Sequence, residues 1–127
     1  MHLKKLYIKQ TYRTPLIEFT DGKLCIWGTF VPENPAEFYL PLHDWIEEYS
    51  ANPAAETVVD FGVRYTRGYW MPYIQKLLHE LILLNKEQHK VIINWHYAPN
   101  TISVKAGEHL SRKLNYAFNF LEVEEIW

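Results

Sequence analysis

The sequence predicts an α/β domain built on a single mixed β-sheet with helices packed on it. Three observations carry this expectation. The first thirty residues hold only strand-like segments, the remainder alternates helical with strand-like segments, and 127 residues suit one domain with a full core (residues 1–127). Alternation of strands and helices favours parallel pairing, and the opening meander adds an antiparallel part.

The elements follow in order. Leu6-Tyr7-Ile8 and Leu16-Ile17-Glu18-Phe19 read as short strands separated by Thr14-Pro15. Asp21-Gly22 is a two-residue hairpin signal. Beyond it Leu24, Ile26 and Gly28 alternate with Lys23, Cys25 and Trp27, so the first thirty residues form a β-meander. Asn34-Pro35-Ala36-Glu37 opens a helix, with Asn34 as cap, Pro35 at the first helical position and Glu37 as capping-box partner. Phe38, Leu42, Trp45, Ile46 and Tyr49 form its apolar stripe. Pro41 inside this pattern is expected to kink or restart the helix, and Ala51-Asn52-Pro53 to end it.

Thr57 to Tyr65 alternates as a strand. Val59, Phe61, Val63 and Tyr65 share one face, while Val58, Asp60, Gly62 and Arg64 share the other. A second helix follows, with Ile74, Leu77, Leu78, Leu81 and Ile82 inward. Lys90 to Tyr97 is the next strand, lined on one face by Val91, Ile93, Trp95 and Tyr97. A third helix runs from about Thr101 to Leu114 with Ile102, Ala106, Leu110 and Leu114 inward, and Asn115 supplies the left-handed residue that closes it. Phe118 to Val123 is the last strand. The predicted order is β-β-β-α-β-α-β-α-β.

Composition excludes several functions. A net charge of −2 sets up no field for nucleic acid or anionic lipid, so neither partner is expected. Met1 to Lys5 opens like a signal peptide, but no long apolar run follows, and Leu81 to Leu84 is too short to span a bilayer. A cytoplasmic protein is expected. Cys25 stands alone, which excludes an internal disulfide and a thiolate metal cluster, and it reads as a packing residue. Among the six histidines, His79-Glu80 lacks a second histidine one turn on, and His89 and His96 fall on opposite faces, so no metal site is expected. Asp60 and Arg64 on one strand face suggest an ion pair. Glu47-Glu48 and Glu122, Glu124 and Glu125 read as solvated faces. No catalytic pattern, phosphate loop or dinucleotide fingerprint occurs, so no catalytic residue and no cofactor is expected.

The stretch Arg64 to Tyr73, "RYTRGYWMPY", stands out at a strand-to-helix junction. A helix start there offers unpaired N–H groups, and Arg64 and Arg67 add positive charge. Two readings fit. Either the corner responds to phosphate or docks a partner, or Gly68 relieves backbone strain while Tyr69 and Trp70 cover the core.

The segments "PENPAEFYLPLHDWIEEY" (Pro32 to Tyr49), "VDFGVRY" (Val59 to Tyr65), "VIINWHY" (Val91 to Tyr97) and "VKAGEHLSRKL" (Val104 to Leu114) resemble the SiaC-like bacterial regulatory phosphoproteins. The resemblance runs in order from about Leu6 to Glu122. It implies a fold similar to the anti-sigma-factor antagonists (STAS-like) and a non-enzymatic role in partner switching. The implied partners are a serine/threonine kinase, a PP2C-type phosphatase and a diguanylate cyclase that makes cyclic di-GMP. The family's switch site is close to Tyr-x-Asn-Thr-Ser-Ser. On that pattern Tyr65 matches the tyrosine, Arg67 replaces the asparagine, and Gly68, which cannot be phosphorylated, stands at the acceptor threonine. Tyr69 and Trp70 replace the serines, and Thr66 is the nearby substitute acceptor.

Three readings of the corner follow. The first is a partner-binding protein without the switch, using Tyr65, Arg67, Tyr69 and Trp70 as its contact surface. The second is a switch moved to Thr66 or Tyr69. The third is a small-ligand or catalytic pocket built from the aromatic corner and His96.

Overall fold

Three strands begin the fold: β1 (Leu6–Ile8), β2 (Leu16–Thr20) and β3 (Lys23–Phe30). The computed structural model describes residues 4–99, 101 and 104–127, with the backbone alone at Tyr69. Asp21-Gly22 closes the β2–β3 hairpin, pairing Thr20 with Lys23, and Gly22 takes the positive φ of 82° that such a turn requires. Helix α1 (Pro35–Tyr49), β4 (Glu56–Thr66), a 3-10 turn (Gly68–Trp70), α2 (Met71–Ile82), β5 (Lys90–Tyr97), α3 (Val104–Lys113) and β6 (Asn119–Glu122) complete it. The six strands lie side by side in chain order, antiparallel from β1 to β3 and parallel from β3 to β6. The expected mixed sheet and element order are both found.

Each parallel step moves one place in the same direction. Right-handed crossovers then deliver all three helices to one face of the sheet. The core reflects this. Leu24, Ile26, Val59, Phe61, Ile93 and Trp95 from the strands are buried in one cluster with Leu42, Ile46, Ile74, Leu78, Leu81 and Leu110 from the helices. Helix α3 lies close on the sheet, since a side chain at Gly107 would come within 2.7 Å of the Trp95 ring.

The helix ends follow their local signals. The Asn34 side chain accepts from the Glu37 N–H at 3.1 Å, and Pro41 sits inside α1 without ending or restarting it. Helix α3 is shorter than expected, and Ile102 lies outside the described residues. Asn115 closes that helix at φ 52°, with Tyr116 N–H donating to Ser111 O at 3.0 Å and Asn115 N–H to Arg112 O at 3.1 Å. That pair of bonds is a Schellman ending. The last strand is also shorter, ending at Glu122.

At the end of α1 the buried Tyr49 hydroxyl gathers three partners. It accepts from Gly22 N–H and Ala54 N–H, each at 3.1 Å, and meets Thr57 Oγ1 at 2.6 Å. One donor and two lone pairs are thus fully used, which pins the helix to the hairpin turn and to the start of β4.

Strand β4 departs from simple alternation. The register pairs Gly28 with Val63 but Thr29 with Tyr65, so a β-bulge leaves Arg64 as the extra residue. Tyr65 therefore joins Thr29 on the face away from the helices, instead of sharing the face of Val59, Phe61 and Val63 as expected, and is 49% exposed.

That uncovered face carries a cross-strand row, Glu18–Cys25–Asp60–Asn94–Asn119. Asn119 Nδ2 donates to Asn94 Oδ1 at 3.1 Å, Asn94 Nδ2 to Asp60 Oδ1 at 3.1 Å, and His96 Nε2 meets the same Asp60 oxygen at 3.0 Å. The expected Asp60–Arg64 ion pair does not form, because residues four apart on a strand are separated by about 13 Å. In the next row Trp27 lies across Gly62, whose Cβ would sit 2.6 Å from its ring, and meets His96 edge-on at 5.2 Å. Burial, followed by the charges of Asp60 and Glu18, pushes the Cys25 thiol up from 9.0 to about 11.

Tyr49→Phe removes the hydroxyl that serves Gly22, Ala54 and Thr57 together. It is expected to lower the unfolding free energy by about 1–3 kcal/mol in urea denaturation; no change would show that these groups find other partners. Cys25 is expected to react with iodoacetamide at pH 8 about a hundredfold more slowly than a free thiol, the rate climbing as pH approaches 11. A rate equal to that of free cysteine would contradict the burial argument.

Candidate functional site

Beyond Thr66 the chain leaves the sheet extended at Arg67 (φ −110°, ψ 157°) and turns once through Gly68–Trp70 into α2. The turn donates Trp70 N–H to Arg67 O at 2.9 Å and Met71 N–H to Gly68 O, and Pro72 has no N–H. Much of the N–H array that would attract an anion at this helix start is therefore spent or missing.

The corner divides into an outer and an inner part. Outside are Tyr65 and Arg67, both exposed, with Arg64 exposed beside them at the bulge. Inside is Trp70, expected in the contact surface but 0% exposed. Its ring packs on Phe30 at 5.2 Å and on Tyr73 at 5.3 Å. The correction has a simple cause: the tight turn rolls the largest apolar side chain of the stretch inward, where burial is most favourable. Trp70 supports the corner from below and fills the space in which a pocket was expected. The Tyr69 side chain lies outside the described residues.

Gly68 is exposed and has an ordinary negative-side backbone, since the positive-φ glycines among the described residues are Gly22 and Gly28. A Cβ added there would meet nothing within 4 Å. The reading in which Gly68 relieves strain is therefore corrected. Thr66 is half-buried at the end of β4, and its hydroxyl donates to the Phe30 carbonyl at 2.9 Å.

His96, four strands in from β1 along the sheet, sits on the open face with Asp60 and Trp27, away from Trp70 behind the corner. A second polar group joins α1 to α2. His43 meets Glu47 through Nε2 at 3.3 Å and Glu80 through Nδ1, and Glu80 also accepts from the Tyr39 hydroxyl. Burial, then the bond to Glu80, pushes the Tyr39 hydroxyl upward. His43, Asp44 and Glu47 bring their ligating atoms within 4.8 Å of one another, but carboxylates already meet both nitrogens of the His43 ring. The spacing of four between His43 and Glu47 was the available sequence signal for this cluster.

No helix among the described residues is long and apolar enough to cross a membrane. Over 97 residues, spanning 75% of this chain and 77% of the relative, the sequence is 26% identical to an uncharacterised protein of Pseudomonas aeruginosa strain UCBPP-PA14. The fold superimposes on SiaC of Pseudomonas aeruginosa with a TM-score of 0.78 at 23% identity, covering 96% of this chain and 99% of that one. A chain in the structure of the diguanylate cyclase SiaD in complex with its activator SiaC, from the same organism, matches with a TM-score of 0.79 at 24% identity, over 94% and 99% of the two chains. The profile of the SiaC family regulatory phosphoproteins matches residues 8–123, and the chain belongs to that family.

Proposed function

We propose that this chain is a non-enzymatic signalling protein that meets a protein partner at the corner after β4, with Gly68 at the family's phosphoacceptor position. Gly68 itself carries the reading. It is exposed, at an ordinary φ, with open space where a side chain would project. Neither backbone strain nor crowding calls for glycine, so a hydroxyl residue would fit and its absence removes a chemical group. Tyr65 and Arg67 remain on the outside as contact residues, of the types that dominate interface hot spots. The partner favoured is a diguanylate cyclase, because SiaC is seen in complex with the cyclase SiaD as its activator. A serine/threonine kinase and a PP2C-type phosphatase complete the partner set of the proposed module, and the cytoplasm is its proposed location.

Retention of the switch at Thr66 fits less well, since its hydroxyl would have to leave the Phe30 carbonyl to be modified. A catalytic pocket is disfavoured because Trp70 fills the corner and burial holds Cys25 as a thiol.

Two measurements test the proposal. Incubated with the kinase of its own cell and ATP, the wild type is expected to take no phosphate by intact mass, while Gly68→Thr takes one. Phosphate on wild-type Thr66 or Tyr69 would contradict this. Against the cell's own diguanylate cyclase, Tyr65→Ala/Arg67→Ala is expected to raise Kd at least about tenfold; unchanged affinity would place the contact elsewhere.

A further inference from the structure

The face of the sheet away from the helices is partly covered by the segment from Val123 to Trp127. Val123 N–H still donates to Tyr97 O at 2.8 Å beside β5. The chain then crosses the open face toward β3, where Ile126 is 1% exposed and the Trp127 ring lies 6.1 Å from that of Trp27. Ile126 is therefore seated, whereas the Trp127 ring remains 58% exposed. Gln10 Nε2 donates to the Trp127 carbonyl at 2.7 Å, and the two close over Gly28, where a side chain would meet the Gln10 amide at 2.7 Å.

The Trp27–His96 ring pair beside this strap has unmet hydrogen-bonding capacity. Trp27 Nε1 and His96 Nδ1 are buried without a hydrogen-bond partner among the described residues. Trp27 Nε1–H is a donor only. Asp60 takes the Nε2 side of His96, so in the neutral ring Nδ1 is an acceptor. The two rings touch edge-on with centroids 5.2 Å apart, so one ring pair carries an unmet donor and an unmet acceptor. An extended peptide backbone offers the complementary pair, a carbonyl for the indole N–H and an N–H for the imidazole. Buried polar groups left unmatched by the strap are a reason for a better-matched segment to replace it. The bulge also brings Tyr65 onto this same face, opposite Thr29 and two residues along from Trp27.

We propose that the Trp27–His96 face beside Tyr65 docks an extended partner segment bearing an aliphatic–aromatic pair, and that the chain's own Ile126–Trp127 occupies this place until it is displaced. The proposal rests on the reading of the Tyr65 corner as partner-binding. The strap is tethered, so it competes at a high effective concentration, and weakening its exposed anchor should open the face without disturbing the helix-covered core.

The test uses the wild-type chain and Trp127→Ala, with a fluorescein-labelled peptide of sequence LEVEEIW as the probe. The peptide is expected to bind Trp127→Ala at least about tenfold more tightly than wild type. In proton NMR spectra the Trp27 indole N–H of the variant should exchange faster with water and shift when peptide is added. Equal affinity for both proteins, no binding to Trp127→Ala, or an unmoved Trp27 signal would overturn the proposal. Titration of the cell's diguanylate cyclase separates the two readings. Tighter cyclase binding by Trp127→Ala supports the strap; cyclase bound by neither protein contradicts the function proposed above, and the peptide titration then decides the strap alone.

Discussion

Successive right-handed crossovers, each stepping one strand in the same direction, require every helix to lie on the same side of the sheet. That constraint divides the molecule into a dry face and an open face. On the dry face Ile26, Phe61 and Trp95 from adjacent strands pack under Leu42, Leu78 and Leu110, and Gly107 lets α3 lie directly on the Trp95 ring. The open face cannot be apolar in the same way. It carries the hydrogen-bonded row from Asn119 through Asn94 to Asp60 and His96, and a tryptophan laid flat across Gly62.

The corner after β4 inherits its character from this division. Trp70 belongs to the dry side and holds the turn against Phe30 and Tyr73, so the start of α2 is fixed. Tyr65 belongs to the open side because one extra residue in β4 shifts the alternation. A rigid inner half and an exposed outer half suit a docking surface, since side chains held in place beforehand lose less freedom on binding. Membership of the SiaC regulatory phosphoprotein family gives that surface a context.

Local signals made most of the fold legible in the sequence. Asp21-Gly22 marked the hairpin, Asn34 the start of α1 and Asn115 the end of α3, each because a short stretch of backbone needs that chemistry whatever surrounds it. The features missed depend on distant residues. The bulge exists only in the pairing of β3 with β4, so alternation within β4 alone put Tyr65 on the wrong face. Asp60 chose His96 from the neighbouring strand over Arg64 from its own. Trp70 carried no sign in the sequence of whether its ring would turn inward or out. The return of Ile126 and Trp127 over Trp27 joins residues a hundred positions apart, beyond the reach of any local pattern.

On the function proposed above, a partner meets the open side of this domain at the corner after β4. Hydrogen exchange on the chain, free and bound to its cell's diguanylate cyclase, tests this most directly. New amide protection is expected through Val63–Trp70 and in the Trp27 segment of β3, with α1 and α2 little changed. Protection confined to α1 and α2, with the corner and β3 unaffected, would contradict it.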